Sequence, residues 1–237
     1  MSRHFKIDRS GSDLRLTKPD LSLHLTPERA IYWEEGRSLI LSDFHLGKDE
    51  TFRHHGIPIP EAVGKADLDR LLNLSKRFPA ERIVIAGDFL HHPNGYNATT
   101  INLFQNYREK IAASIVVITG NHERSFRSLP RAWQIEFLPD ECSMGPIQFI
   151  HDPEDYSEKT GHSLTIAGHW HPVVKLSRKV RLPCFHLNQS LLVLPAFTRF
   201  SSGLSVGDTD RGRNFVIAKK SVLDPPEFIA LKNDLNL

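Results

Sequence analysis

The sequence predicts an α/β fold in one domain, and three observations carry that prediction. Short apolar runs of about four residues recur between stretches with helical spacing. Polar residues of one chemical kind follow each of these runs at once. The last third of the chain reads as short β-segments separated by turns. A chain of 237 residues can bury a substantial core. Its formal net charge of +2 creates no global field toward nucleic acid or membrane, so such a partner must be met by a local patch. No apolar run approaches the roughly 20 residues that span a bilayer, and the segment from Met1 to Lys6 lacks the apolar core of a signal peptide. The expected location is cytoplasmic. Cys142 and Cys184, far apart in ordinary sequence, read as free thiols of a reducing compartment.

Taken in order, residues 1–20 are polar with scattered apolar positions and read as a loosely ordered arm or an edge strand. Leu21, Leu23 and Leu25 then alternate, and the chain passes through Ala30 to Trp33 into the buried strand Ser38 to Leu41, a β-hairpin feeding a core strand. A loop from Lys48 to Pro60 precedes a helix whose Leu68, Leu71, Leu72 and Ser75 share a face. The strand Ile83 to Ala86 follows. A second helix, capped near Asn97, turns Phe104, Tyr107 and Ile111 inward and leads to the strand Ile115 to Ile118. After a less regular region with Trp133 and Phe137 come the strands Ile147 to Ile150 and Leu164 to Ala167. Beyond Pro172 the pattern is β: Cys184 to Leu187, a turn at Asn188-Gln189, Leu191 to Leu194, and Asn214 to Ala218 after a turn at Asp210-Arg211-Gly212. The stretch from Phe185 to Phe197 reads either as a dimerising edge or as core.

Histidine is the compositional outlier, with 13 in the chain and ten between His45 and His171. Five apolar strands stop and deliver residues of metal-ligand type: Asp43 and His45, Asp88, Asn121 and His122, His151, then His169 and His171. In open α/β architectures ligands bind outside the carboxyl ends of strands, so five such ends can converge. Taken singly, Asp43, Asp88 and Asn121 read as turn or cap residues; taken together they read as a metal site. On an extended backbone His169 and His171 point the same way and form a chelate, with Gly168 allowing a tight turn and Pro172 stiffening the exit. Two carboxylates, an amide oxygen and four imidazoles, with His122 left over, exceed one ion and suit two ions sharing a carboxylate. Nitrogen and oxygen donors without thiolate favour Mn²⁺, Fe, Co²⁺ or Zn²⁺. Two such ions ~3.5–4 Å apart generate a bridging hydroxide near neutral pH and clamp a phosphate ester.

The set Asp43-x-His45, Gly87-Asp88-x-x-His91, Gly120-Asn121-His122-Glu123, His151 and Gly168-His169-x-His171 resembles, in order and spacing, the five motifs of the calcineurin-like metallophosphoesterases. The resemblance implies a four-layer α/β/β/α sandwich of two mixed β-sheets flanked by helices, the metallo-dependent phosphatase fold. It also implies that Asp43, His45 and His171 hold one ion, that Asn121, His151 and His169 hold the other, and that Asp88 bridges them. His122 then protonates the leaving oxygen, Glu123 orients His122, and His91 stands behind the ligands. Phe52-Arg53-x-x-Gly56-Ile57-Pro58-x-Pro60, Arg181-Leu182-Pro183-Cys184-Phe185 and Leu194-Pro195-Ala196-Phe197 are similar to the bacterial ligase-associated DNA damage response endonucleases (PdeM). That narrower resemblance implies a Mn²⁺-dependent phosphodiesterase acting on DNA and an association with DNA repair proteins.

The runner-up is a phosphodiesterase or pyrophosphatase of a small nucleotide or sugar nucleotide. A non-catalytic metal-binding scaffold is a third reading, disfavoured because His122 and all seven ligand positions are present. Lys175, Arg178, Lys179 and Arg181 form a basic run that reads as a polyanion track or as a solvated hairpin. Arg124, Arg127 and Arg131 read as a phosphate-binding rim. Neither cluster has the regular aromatic interleaving that stacks single-stranded bases.

Overall fold

The computed structural model describes residues 5–60, 62–126, 128–158, 161–177, 179–207, 212–218 and 220–234. The first sheet contains β1 (Lys6–Ser10), β2 (Asp13–Lys18), β3 (Leu21–Leu25), β4 (Ile31–Trp33), β5 (Ser38–Leu41), β6 (Arg82–Ala86), β7 (Ser114–Ile118) and β8 (Ile135–Leu138), side by side in chain order. It is antiparallel from β1 to β5 and parallel from β5 to β8. The second sheet contains β9 (Glu141–Met144), β10 (Ile147–Ile150), β11 (Leu164–Ala167), β12 (Val173–Lys175), β13 (Arg181–Asn188), β14 (Leu191–Val193), β15 (Arg213–Ala218) and β16 (Ser221–Leu223). Its neighbours run β16-β15-β13-β14-β11-β10-β9, with β12 paired to β13, and β10, β11 and β14 are mutually parallel. Four helices complete the fold: α1 (Lys48–His54), α2 (Ala62–Arg77), α3 (Ala98–Arg108) and α4 (Pro225–Asp234).

Side-chain alternation sorts each central strand between two cores. Leu39, Leu41, Ile83, Ile85, Ile115 and Val117 face α2 and α3, where they meet Leu68, Leu71, Phe104 and Trp133. Ile40, Val84, Ala86 and Ile118, one residue out of phase, face the second sheet and meet Phe149, Leu164, Ile166, Phe185 and Leu192. Strands buried on both faces are mostly apolar, which is why these segments read as apolar runs; the exceptions in the second sheet, Gln148 and Thr165, hydrogen-bond each other at 2.9 Å. On the far side of the second sheet, Phe228 of α4 packs with Cys184 and Val216. The layers are therefore α/β/β/α, as expected.

Two local expectations are corrected, and two open readings are narrowed. Of the two readings of the first 20 residues the edge strand holds for β1, which ends the first sheet and pairs with β2 in a hairpin whose Leu14 and Leu16 enter the inter-sheet core; residues 1–4 lie outside the described residues. The segment after His45 expected to be a loop opens with α1. The region around Phe137 forms β8, which adds in parallel to β7, and β9, which pairs with β10. β13 and β14 lie inside the second sheet and Phe185 and Phe197 are fully buried, so of the two readings of that stretch core is the one that holds, apart from the turn at Asn188-Gln189. Asn97 does cap α3, its side chain accepting from the Thr100 N–H. The expected turn residues Asp210 and Arg211 lie outside the described residues. Among the described residues, no helix is long and apolar enough to cross a membrane.

Candidate metal centre

The parallel halves of the two sheets end at the same edge of the sandwich, so β5, β6, β7, β10 and β11 deliver their following loops to one place. Backbone hydrogen bonds stitch these loops together. Asp43 donates to the Gly87 carbonyl at 3.1 Å, His45 to Asp88 at 2.9 Å, and Gly168 to His151 at 3.1 Å. Asp43, His45, Asp88, His169 and His171 all have positive φ, between 49° and 65°. A left-handed backbone at non-glycine residues costs of order 1–3 kcal/mol each and persists only where its surroundings over-determine it. The expectation of an extended His169-x-His171 chelate is thereby corrected. Both residues turn, and their rings enter different groups of donors.

Glycines beside these residues make room for side chains from other strands. A Cβ at Gly168 would lie 2.6 Å from Asp43 Oδ2, one at Gly120 would lie 2.5 Å from Asp88 Oδ1, and one at Gly87 would overlap the His151 ring. Gly168 therefore serves by its missing side chain, and the left-handed residue of the tight turn is His169.

Among the described residues three donor groups result: Asp43, His45 and His171; Asp88, His151 and His169; and an all-imidazole group of His45, His91 and His122, so that only the first two, taken as the first and second groups, contain a carboxylate. In each, one atom from every residue lies within 4.8 Å of the others. His171 Nε2 is 3.0 Å from Asp43 Oδ1, and His151 Nε2 is 3.4 Å from Asp88 Oδ2. Asn121 is exposed at the second group, its amide nitrogen 3.3 Å from His169 Nδ1. Both ring nitrogens of His45 are buried without a hydrogen bond, and the buried Nε2 atoms of His151 and His171 face only the carboxylates of Asp88 and Asp43. A buried unsatisfied polar group costs about 1–3 kcal/mol, and a cation at the lone pair of His45 would remove that cost. The opposite nitrogens of His151 and His171 are held as metal-binding imidazoles require: His151 Nδ1 by the Ala86 carbonyl at 3.1 Å, and His171 Nδ1 by Ser202 O at 3.0 Å and Ser201 Oγ at 2.8 Å. Nitrogen and carboxylate donors arranged in this way fit two divalent ions.

Electrostatics agrees. Burial lowers the His45 ring to about 3, leaving a neutral imidazole. Burial alone would raise the Asp88 carboxyl, but the hydrogen bond and charge of His151 hold it well below the usual carboxylate range. Burial would likewise lower His151, yet Asp88 lifts it to about 9. Asp43 is lowered and His171 raised by the same balance between them. Each carboxylate thus holds a proton on its imidazole, at positions where a metal cation would satisfy both partners.

His122 stands beside the second group, with Nε2 3.7 Å from Asp88 Oδ2 and its backbone N–H donating to Asp88 Oδ1. Nδ1 meets the His91 carbonyl, and the two rings stack at 5.2 Å. The expectation that Glu123 orients His122 is corrected. Its carboxylate instead accepts from the backbone N–H groups of Asp88 at 3.0 Å, Leu90 at 3.0 Å and Gly120 at 2.9 Å, tying the loops after β6 and β7 together. The group that orients His122 is the carbonyl of His91, and backbone carbonyls leave no trace in a sequence motif. Sequence reasoning also missed Asp152, whose Oδ2 lies 3.7 Å from His169 Nε2, although its place next to His151 could have drawn attention. Ser201 and Ser202, about 30 residues from their partner, carried no signal. Lys175, Lys179 and Arg181 are exposed on the β12–β13 hairpin. Arg124 pairs with Asp140 at 3.2 Å, so its charge is already matched. Arg127 and Arg178 lie outside the described residues.

The family model of the calcineurin-like phosphoesterases matches residues 36–202, which includes every strand end described above. The chain belongs to that family. It is therefore a metal-dependent phosphoric ester hydrolase. Among solved structures it is similar to the Pseudomonas putida nuclease MPE, with 26% identity, a TM-score of 0.75, and coverage of 93% of this chain and 100% of that one. No curated protein sequence matches it.

Proposed function

We propose that this phosphoesterase is a dinuclear-metal phosphodiesterase that cleaves DNA, with Mn²⁺ as its preferred metal. The observation that carries the reading is the pair of carboxylate-containing donor groups, with the unpartnered ring nitrogens of His45 and an additional imidazole, His122, at their edge. Asp43, His45 and His171 would hold one ion. Asn121, His151 and His169 would hold the other, and Asp88 would be shared. When bound, the ions supply positive charge for phosphate oxygens and a water acidic enough to be deprotonated near neutral pH. His122 delivers a proton to the leaving oxygen: the His91 carbonyl engages Nδ1 and leaves Nε2 facing the centre. Glu123 keeps Asp88 in place through the backbone rather than through His122. The hydrolysed ester being a nucleic-acid diester is supported by the solved relative, which is titled a nuclease. The absence of thiolate donors supports Mn²⁺ over softer-ligand metals.

The test is hydrolysis of bis(p-nitrophenyl) phosphate and of single- and double-stranded DNA by protein loaded with Mn²⁺, Mg²⁺ or Zn²⁺, beside a panel of nucleotides and sugar nucleotides. Mn²⁺-stimulated cleavage of the diester and of DNA is expected. DNA left intact while one nucleotide is hydrolysed would replace the nuclease reading with the small-molecule one.

A further inference from the structure

A cleft adjoins the first donor group, between the start of α1, the first turns of α2 and the loop after β14. Its walls include His45, Lys48, Asp49, Asp67 and Phe200. Asp49 is paired with Arg53 at 2.8 Å and Asp67 with Arg70 at 2.9 Å, so both carboxylates are already matched. Lys48 differs. It is half-buried, its ammonium has no hydrogen bond or ion pair among the described residues, and it lies 6.0 Å from the centroid of the Phe200 ring. The surplus charge of the cleft is therefore the Lys48 cation.

Lys48 opens α1 three residues after His45, its backbone N–H donates to the His45 carbonyl at 3.1 Å, and the two side chains line the same cleft. Its charge also acts on Asp43 and Asp88. The attraction of those two carboxylates is set against burial, which disfavours its charge. Once those carboxylates ligate two dications their charge is used up, and a half-buried ammonium without a counter-charge is costly. An anion arriving with the substrate removes that cost.

We propose that Lys48 is a substrate-contacting residue, its ammonium binding a phosphate oxygen at the edge of the metal centre. The proposal rests on the phosphodiesterase reading and deepens it. Two phosphates have the required chemistry: the one being hydrolysed and, in a polynucleotide, the one next to it. Either contact is an ammonium hydrogen bond to an anionic oxygen, a point charge that a guanidinium can partly reproduce.

The experiment compares Lys48→Gln and Lys48→Arg with the unmodified chain, all loaded with Mn²⁺, on bis(p-nitrophenyl) phosphate and on a thymidylate decamer. Metal content and thermal midpoint are read for each protein. If Lys48 binds the phosphate under attack, Lys48→Gln lowers kcat/KM on both substrates by about tenfold to a hundredfold. It also weakens competition by inorganic phosphate, keeps two ions, and is largely rescued by Lys48→Arg. If it binds the neighbouring phosphate, the loss is confined to the decamer and falls mainly on KM. Unchanged kinetics on both substrates overturns the proposal. So does a loss explained by a missing metal ion, which would make Lys48 a support of the centre. Should the unmodified chain hydrolyse the diester but not the decamer, the DNA reading fails while the diester arm still decides for or against Lys48. Inactivity of the unmodified, metal-loaded chain on both substrates sinks the phosphodiesterase reading first, and the Lys48 assignment with it.

Discussion

Asp43, His45 and His171 on one side, and Asp88, His151 and His169 on the other, are assembled from the same parts: one buried carboxylate, one deep imidazole and one outer imidazole. They differ in what stands over the outer ring. His171 has 17% of its side chain exposed and is held by Ser201 and Ser202, on the loop that follows β14. His169 has 36% exposed, and its neighbours are the exposed Asn121 and the carboxylate of Asp152. The motifs alone would make the two groups equivalent. Enclosure comes from a loop that carries no ligand, so the first group should retain its ion more firmly and the second should exchange it more readily.

Asp88→Asn tests that division most severely. If Asp88 is shared, the variant loses both ions and several kcal/mol of transition-state stabilisation, at least about a thousandfold in kcat on an aryl phosphodiester. If Asp88 serves only the second group, metal analysis will find one ion retained. Next in size, His171→Ala and His169→Ala should each deplete a different ion, with activity falling about a hundredfold in either case. Anomalous scattering that shows the same site emptied in both would erase the distinction between the groups. Gly168→Ala presses a methyl group on Asp43 Oδ2, and overpacking of this kind costs about 1–3 kcal/mol. Chemical denaturation should register that loss, and the first group should weaken before the second. Ser201→Ala removes one of the two bonds holding His171 Nδ1, which should raise the dissociation constant of the enclosed ion about tenfold and make the two groups more alike. The smallest signal is kinetic. A chelator should strip the wild-type metal in two phases, the more open group first, and a single phase would show that the enclosing loop does not matter.

The architecture was legible where side chains face protein on both sides. Ser38–Leu41, Arg82–Ala86, Ser114–Ile118, Ile147–Ile150 and Leu164–Ala167 are buried on both faces, and their apolar runs gave away both the strands and the polar residues after them. It was less legible at the periphery. β1 is largely exposed, so Lys6, Asp8 and Arg9 conceal a strand that backbone pairing alone defines. The helix α1 is seven residues long and mostly polar, too short for a periodic signal. Within the site, the identities of the clustered residues could be read from spacing, whereas their second partners could not. His91 O, Ser202 O and the N–H groups accepted by Glu123 are backbone groups, present at every position and therefore silent in a sequence.

The glycines at 87, 120 and 168 have a consequence for how such a centre can change. Each empties space for a side chain carried by a different strand: Gly87 for His151, Gly120 for Asp88, Gly168 for Asp43. The motifs are consequently not interchangeable modules. A segment grafted from a relative brings its own ligand but also the hollow in which another segment's ligand must sit, so single transplants should fail where the full set succeeds. Variation in this chain is therefore freest in the residues that roof the centre, beginning with the loop that carries Ser201, and most restricted where one strand's missing methyl group is another strand's seat.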